Sequence, residues 1–237
     1  MKICIIGNSH VGSLKRGWDQ ITRNYSNIQL TFFAHRNNGL ADLVVKDSTL
    51  VAANEELEQA LLFTSSGKGY ICPNEYDIFL LYGLNAKAYL FGDCFYSESA
   101  IRSSVRDFIT VTLSYKIFSL LCGVTNKPIY IGHNPLPAAV QVKNRKKSDY
   151  VLGMDILRKY SPLCSNGYFV NQPEDTVVNS SLTNPCYSLG SKRLAIGEFD
   201  DNEEHPLNDN MHMNDEFGIL WLENFFSMIS KMGEHGT

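Results

Sequence analysis

Apolar and polar residues along this chain repeat with two different periods. Residues 2–6 (Lys-Ile-Cys-Ile-Ile) are a short apolar run rich in β-branched side chains, closed by Gly7-Asn8. A run that short, bounded by turn residues, predicts a strand buried on both faces. From residue 10 the period lengthens: Val11, Leu14, Trp18 and Ile21 share one helical face over residues 10–24. Residues 28–34 predict a second strand, Arg36-Asn37-Asn38-Gly39 a turn, residues 52–63 a helix, and residues 76–82 a third strand stopped by Gly83. A long helical pattern covers residues 97–122, with Ser97 placed to cap it and Gly123 to end it. Residues 129–132 predict a fourth strand, which opens into His133-Asn134-Pro135-Leu136-Pro137. A helix is predicted over 145–160, then a loop-rich stretch with short strands over 171–208. A last amphipathic helix spans 215–232, with Phe217, Leu220, Trp221, Phe225, Met228, Ile229 and Met232 inward and Asn214 as its candidate N-cap.

Strands that alternate with helices predict an α/β fold around a mostly parallel sheet. No internal repeat, low-complexity tract or linker interrupts residues 1–237, so the pattern predicts a single domain. Hydrophobic residues make up 44% of the chain and charged residues 19%, a globular composition with material for a sizeable core. The net charge of -4 argues against a nucleic-acid partner. The one basic cluster, Lys143 with Arg145-Lys146-Lys147, reads as a solvated helix start. No stretch approaches the roughly 18 apolar residues of a membrane span. Met1-Lys2 leads directly into the first strand without a signal-peptide pattern. The six cysteines are scattered with no Cys-x-x-Cys pair, which argues against a zinc site or a disulfide-stapled mini-domain. Together these features predict a cytoplasmic protein with reduced thiols.

In an open parallel sheet, ligands bind outside the carboxyl ends of the strands. Three polar loops leave those ends: Gly7-Asn8-Ser9-His10, Gly83-Leu84-Asn85 and His133-Asn134. A fourth element, Asp209-Asn210-Met211-His212, comes from just before the last helix. These residue types suit nucleophilic attack on an acyl carbonyl. A serine hydroxyl needs an imidazole to take its proton, and a carboxylate to hold that imidazole in the correct tautomer. Donors must also meet the developing oxyanion. Each residue also has a plainer reading. Ser9 could be a helix cap, Asp209 a turn cap, His212 a surface histidine, and Gly83-Leu84-Asn85 a strand-ending turn. His133 is the rival to His212 as base.

The motifs resemble those of the SGNH/GDSL hydrolases. Gly7-Asn8-Ser9 looks like the family's first block, immediately after the first strand. Gly39 is similar to the glycine of the second block, and Gly83-Leu84-Asn85 to the third. Asp209-Asn210-Met211-His212 matches the Asp-x-x-His of the last block, and Asn214 to Gly218 is similar to the segment that often succeeds that histidine in the family. The resemblance covers nearly the whole chain. It implies a three-layer α/β/α flavodoxin-like fold and a Ser9 nucleophile, with His212 as base and Asp209 as its orienting carboxylate. It further implies an oxyanion hole from the backbone of Ser9 and Gly39 and the side chain of Asn85. His10, His133 and Asn134 are candidate substrate contacts, although His10 begins a helix and is expected to point away from Ser9. Two positions depart from the family pattern: Asn8 and Ala86 each stand where aspartate is usual.

The expected substrate is a small acyl ester, foremost an O-acetyl group on a carbohydrate. Two alternatives stay open: an acyltransferase in which a sugar hydroxyl replaces water, and a binding protein on a degenerate hydrolase fold. No Gly-x-Gly-x-x-Gly, Walker-type loop or Gly-x-Ser-x-Gly is present, and no cofactor is expected. His205, Asp209 and His212 could be imagined as metal ligands, but Asp209 and His212 have a better joint role in the triad, so no metal is expected.

Overall fold

A computed structural model describes residues 1–91, 95–139, 150–197 and 203–234, and the side chains as far as residue 231. The basic cluster at 143–147, residues 145–149 of the helix predicted over 145–160, and the side chain of Met232 lie outside the described residues. The strands are β1 (Lys2–Gly7), β2 (Gln29–Ala34), β3 (Leu43–Lys46), β4 (Thr49–Ala52), β5 (Tyr70–Ile71), β6 (Ile78–Tyr82), β7 (Ile129–Gly132), β8 (Gly167–Val170), β9 (Val177–Val178) and β10 (Leu182–Thr183). The helices are α1 (Val11–Ile21), α2 (Glu55–Thr64), α3 (Glu98–Thr110), α4 (Leu113–Cys122), α5 (Tyr150–Tyr160) and α6 (Asp215–Glu234).

Five strands form an all-parallel central sheet in the order β2-β1-β6-β7-β8. Counting only these five, the order is the 2-1-3-4-5 of flavodoxin-like folds. Side chains on a strand alternate between faces, and the burial obeys that rule. Ile3, Ile5, Leu80, Tyr82 and Tyr130 pack on one face against Val11, Leu14 and Trp18 of α1 and Phe217, Trp221 and Phe225 of α6. Cys4, Ile6, Phe79, Leu81, Ile129 and Ile131 pack on the other against residues of α2 and α4. Burial on both faces is why these strands read as continuous apolar runs.

The structure departs from the pattern in four places. The parallel sheet has a fifth strand, β8, at its edge, where only four residues and partial burial leave little periodic signal. A small antiparallel sheet, β3-β4-β5, fills the chain between the second and third central strands. The helical pattern over 97–122 breaks into α3 and α4 because Thr112 adopts an extended backbone. Its side chain accepts the Tyr115 N–H at 3.1 Å and starts α4, as Ser97 does for α3. Finally, Cys122 and Cys164 are paired, against the expectation of six separate thiols. Forty-two residues separate them in sequence, so only the docking of α4 beside the chain entering β8 brings them together.

Candidate functional site

The strand order reverses at β1, which lies between β2 and β6. This is the switch point where such sheets open a crevice beyond the carboxyl ends of their strands. Gly7 closes β1 in register with Ala34 and Tyr82. A Cβ on Gly7 would sit 2.5 Å from the Tyr82 carbonyl and 2.1 Å from Val11 Cγ2, so only glycine lets the chain turn here. Ser9 comes next at the turn, and α1 begins two residues later. Ser9 is not the helix cap: that position is His10, with no capping bond from its side chain. The Ser9 hydroxyl instead lies 3.0 Å from His212 Nε2.

His212 is held from its other nitrogen. Its Nδ1 lies 2.9 Å from Asp209 Oδ2. An ionised carboxylate only accepts, so Nδ1 carries the proton, and Nε2 is left to accept from Ser9 Oγ. Asp209 Oδ1 accepts the Met211 and His212 backbone N–H groups at 2.8 and 2.9 Å. Partial burial works against the Asp209 charge. It is outweighed by the backbone N–H and imidazole of His212 and by the Met211 N–H, which bring the carboxyl down to about 2. Asp209 is thus both a turn cap and the partner of the imidazole. Asn214 then caps α6, accepting the Phe217 N–H at 3.2 Å.

Two more imidazoles flank His212. His205 stacks on one side with centroids 3.9 Å apart and planes 8° from parallel, and its Nδ1 is 3.5 Å from Asp209 Oδ2. His10 stacks too, at 4.9 Å and 28°. His10 therefore packs beside His212 rather than away from Ser9. Burial, with the nearby His212 as the next cause, holds His10 down at about 3 and His205 at about 4, so both rings are neutral near pH 7.

His205, Asp209 and His212 form a three-member group whose ligand atoms lie within 4.8 Å of one another. They are poorly arranged for a metal. An imidazole binds zinc at about 2.0–2.1 Å and in the plane of its ring. One ion cannot occupy the planes of two rings stacked 8° from parallel.

A pocket of about 200 Å³ opens beside Ser9 and His212, lined also by Arg36, Asn37, Arg193, Leu194 and His205. The Arg36 guanidinium donates to the Leu194 carbonyl from Nε and Nη2 at 3.0 and 2.7 Å. Arg193 pairs with Glu203 at 2.8 Å. Sequence reasoning missed these walls, though a signal existed. Arg36-Asn37 belongs to the turn after β2, a strand end that opens on the same crevice. Larger cavities exist elsewhere. One of about 610 Å³ between Arg158, Gln172, Glu174 and Glu223 shares no residue with this site.

Asn85 lies in a turn where Gly83, Leu84 and Asn85 all have left-handed backbone (φ 77, 54 and 62°), a conformation that is costly for Leu84. Its amide donates to Asn38 Oδ1 at 2.6 Å. The Gly39 N–H donates to the Arg36 carbonyl at 3.1 Å, closing the turn. Among the described residues the Ser9 N–H donates to no protein acceptor. Of the three expected oxyanion donors, the Gly39 N–H is already used, while the Ser9 N–H and the second N–H of the Asn85 amide are not hydrogen-bonded among the described residues.

His133 is buried away from the pocket lining. Its Nε2 meets Tyr150 Oη at 2.7 Å and its Nδ1 the Asn134 carbonyl at 2.5 Å. Burial holds it near 4. The Asn134 side-chain oxygen is buried and unpartnered beside Gly83. Of the two departures from the family pattern, Asn8 is buried and accepts the His10 N–H at 3.4 Å. Ala86 is buried in the strand-end turn, donating to the Gly83 carbonyl at 2.9 Å and accepting from the Asn134 N–H at 2.7 Å. No helix among the described residues is long and apolar enough to cross a membrane. The sequence matches no protein-family model and no curated protein.

Proposed function

We propose that this protein is a serine hydrolase of the SGNH/GDSL type that cleaves a small acyl ester, with an O-acetyl group on a carbohydrate as its substrate. The observation that carries the reading is the continuous relay from Ser9 Oγ to His212 Nε2 at 3.0 Å and from His212 Nδ1 to Asp209 Oδ2 at 2.9 Å. Ser9 and His212 lie 203 residues apart in sequence and converge at the switch point of the sheet. A pocket of about 200 Å³ beside Ser9 is below the roughly 300–1,000 Å³ typical of drug-sized ligands, which favours a short acyl group.

The proposed reaction has two halves. Ser9 Oγ attacks the carbonyl carbon as His212 Nε2 takes its proton, and Asp209 stabilises the imidazolium. The Ser9 N–H supports the oxyanion. Collapse of the tetrahedral intermediate breaks the ester bond, and the proton on Nε2 passes to the leaving alkoxide. A water, deprotonated by His212, then attacks the acyl-enzyme, releases the carboxylic acid and restores Ser9.

Labelling with a fluorophosphonate probe tests the nucleophile. Wild type is expected to label covalently and Ser9→Ala not at all. An unlabelled wild type points to a binding protein, and equal labelling of both moves the nucleophile elsewhere. Turnover of p-nitrophenyl acetate with and without a sugar acceptor then separates hydrolysis from acyl transfer.

A further inference from the structure

The structure assigns His205 as a positioning residue for His212: its imidazole fixes the plane of the base by face-to-face stacking. This rests on the reading of His212 as base. The two rings lie 3.9 Å apart and 8° from parallel, and the His205 side chain is only 10% exposed. Stacking is the operative contact. The 3.5 Å from His205 Nδ1 to Asp209 Oδ2 is too long for a good hydrogen bond, and His205 Nε2 is buried without a partner. A neutral ring with no strong hydrogen bond of its own acts on its neighbour through its face. His10 covers His212 from a second side at 4.9 Å, which leaves the base ring little freedom to rotate.

His205 is itself held by a chain of backbone contacts. Its N–H donates to the Ser191 carbonyl at 2.8 Å, and the Arg193 N–H donates to the Glu203 carbonyl at 2.8 Å, so residues 191–193 and 203–205 run as a short antiparallel ladder. Arg16 of α1 grips that ladder through the Lys192 and Arg193 carbonyls, at 3.1 and 3.3 Å. The same guanidinium donates from Nε to Asp215 at the start of α6, 2.7 Å away. The His205 ring is thereby tied to the two helices that begin just after Ser9 and His212. A bare loop histidine would have no such support.

The test compares wild type with His205→Phe, which keeps a planar face, and with His205→Ala and His205→Leu, which remove it. His205→Leu keeps side-chain volume in case the alanine variant fails to fold. Readouts are kcat and KM on p-nitrophenyl acetate, and the low-field proton resonance of the His212–Asp209 hydrogen bond. The Ala and Leu variants are expected to lose kcat by roughly three- to tenfold, in keeping with one aromatic contact, at near-constant KM. Their low-field resonance should broaden, and His205→Phe should recover most of both signals. Wild-type kcat and resonance in His205→Leu would overturn the assignment, as would a phenylalanine variant no better than leucine. If wild type is not labelled by the fluorophosphonate, the hydrolase reading falls, while the resonance still decides whether His205 holds the ring.

Discussion

Replacing Asp209 with asparagine preserves the shape of the site and reverses one hydrogen bond. Asp209 Oδ1 accepts two backbone N–H groups, from Met211 at 2.8 Å and His212 at 2.9 Å, while Oδ2 faces His212 Nδ1 at 2.9 Å. An asparagine must keep its carbonyl oxygen toward the two N–H donors, since its amide nitrogen there would oppose them donor to donor. The amide N–H is then aimed at His212 Nδ1, which must lose its proton to accept. The proton moves to Nε2, and Nε2 can no longer take one from Ser9. The wrong tautomer in a triad of this geometry costs on the order of 10⁴ in kcat, or about 5.5 kcal/mol of barrier. The assay is p-nitrophenyl acetate turnover together with the rate of fluorophosphonate labelling, on protein whose circular dichroism matches wild type. A loss below about tenfold would refute the tautomer argument and, with it, the place of Asp209 in the relay. The same substitution also changes acid stability. The Asp209 carboxyl sits at about 2 against 3.8 unperturbed, so its contribution is complete above about pH 4 and is lost as pH falls toward 2. That shift corresponds to on the order of 2 kcal/mol, which Asp209→Asn should forfeit at neutral pH.

Two further outcomes are expected. His10 and His133 are buried and held down at about 3 and about 4, against 6.5 unperturbed. The unfolded chain therefore takes up their protons first, and stability is complete above about pH 6.5 and falls as pH drops toward 4. The slope approaches about 1.4 kcal/mol per pH unit for each group, so urea midpoints measured between pH 7 and 4.5 should fall steadily, and a flat profile would contradict the burial of both rings. Where α1 crosses α6, a Cβ on Gly218 would lie 2.0 Å from the Ser13 carbonyl oxygen. Gly218→Ala should cost about 1–3 kcal/mol, read as a fall in Tm, and it should lower the labelling rate of Ser9 as well, because α1 and α6 begin just after Ser9 and His212. A fall in Tm with unchanged labelling would uncouple that crossing from the site.

The parts of this fold legible in the sequence are those that a local period writes down. β1, β6, β7 and the second half of β2 are buried on both faces, and α1 and α6 present one apolar face each, so burial and pattern coincide. β8 pairs only at the sheet edge, and β3, β4 and β5 are two to four residues long, so their identity comes from partners rather than from composition. The break between α3 and α4 was hidden because both helices are apolar enough to continue one pattern, and only the backbone of Thr112 interrupts it.

The same division runs through the site. Ser9, Asp209 and His212 could be picked out because their chemistry is specific and each sits at a strand end or a helix start, where a sequence pattern gives its location. The pocket walls carry no such mark. Arg36, Leu194 and His205 come from separate loops, and what places them is hydrogen bonding to main-chain carbonyls: Arg36 to Leu194, Arg16 to Lys192 and Arg193, and the His205 N–H to Ser191. A carbonyl is the same group in every residue, so a contact that ends on one leaves no preference in the sequence of its acceptor. Arg16 illustrates the consequence. As a sequence feature it is a charged residue on the polar side of an amphipathic helix, yet it makes three hydrogen bonds that join α1, α6 and the segment behind the pocket. A rule that strand ends gather function reaches the turn after β2 as readily as the one after β1, and would have found Arg36 and Asn37. Arg193 and His205 come after no central strand, and their place depends on the bonds that Arg16 makes.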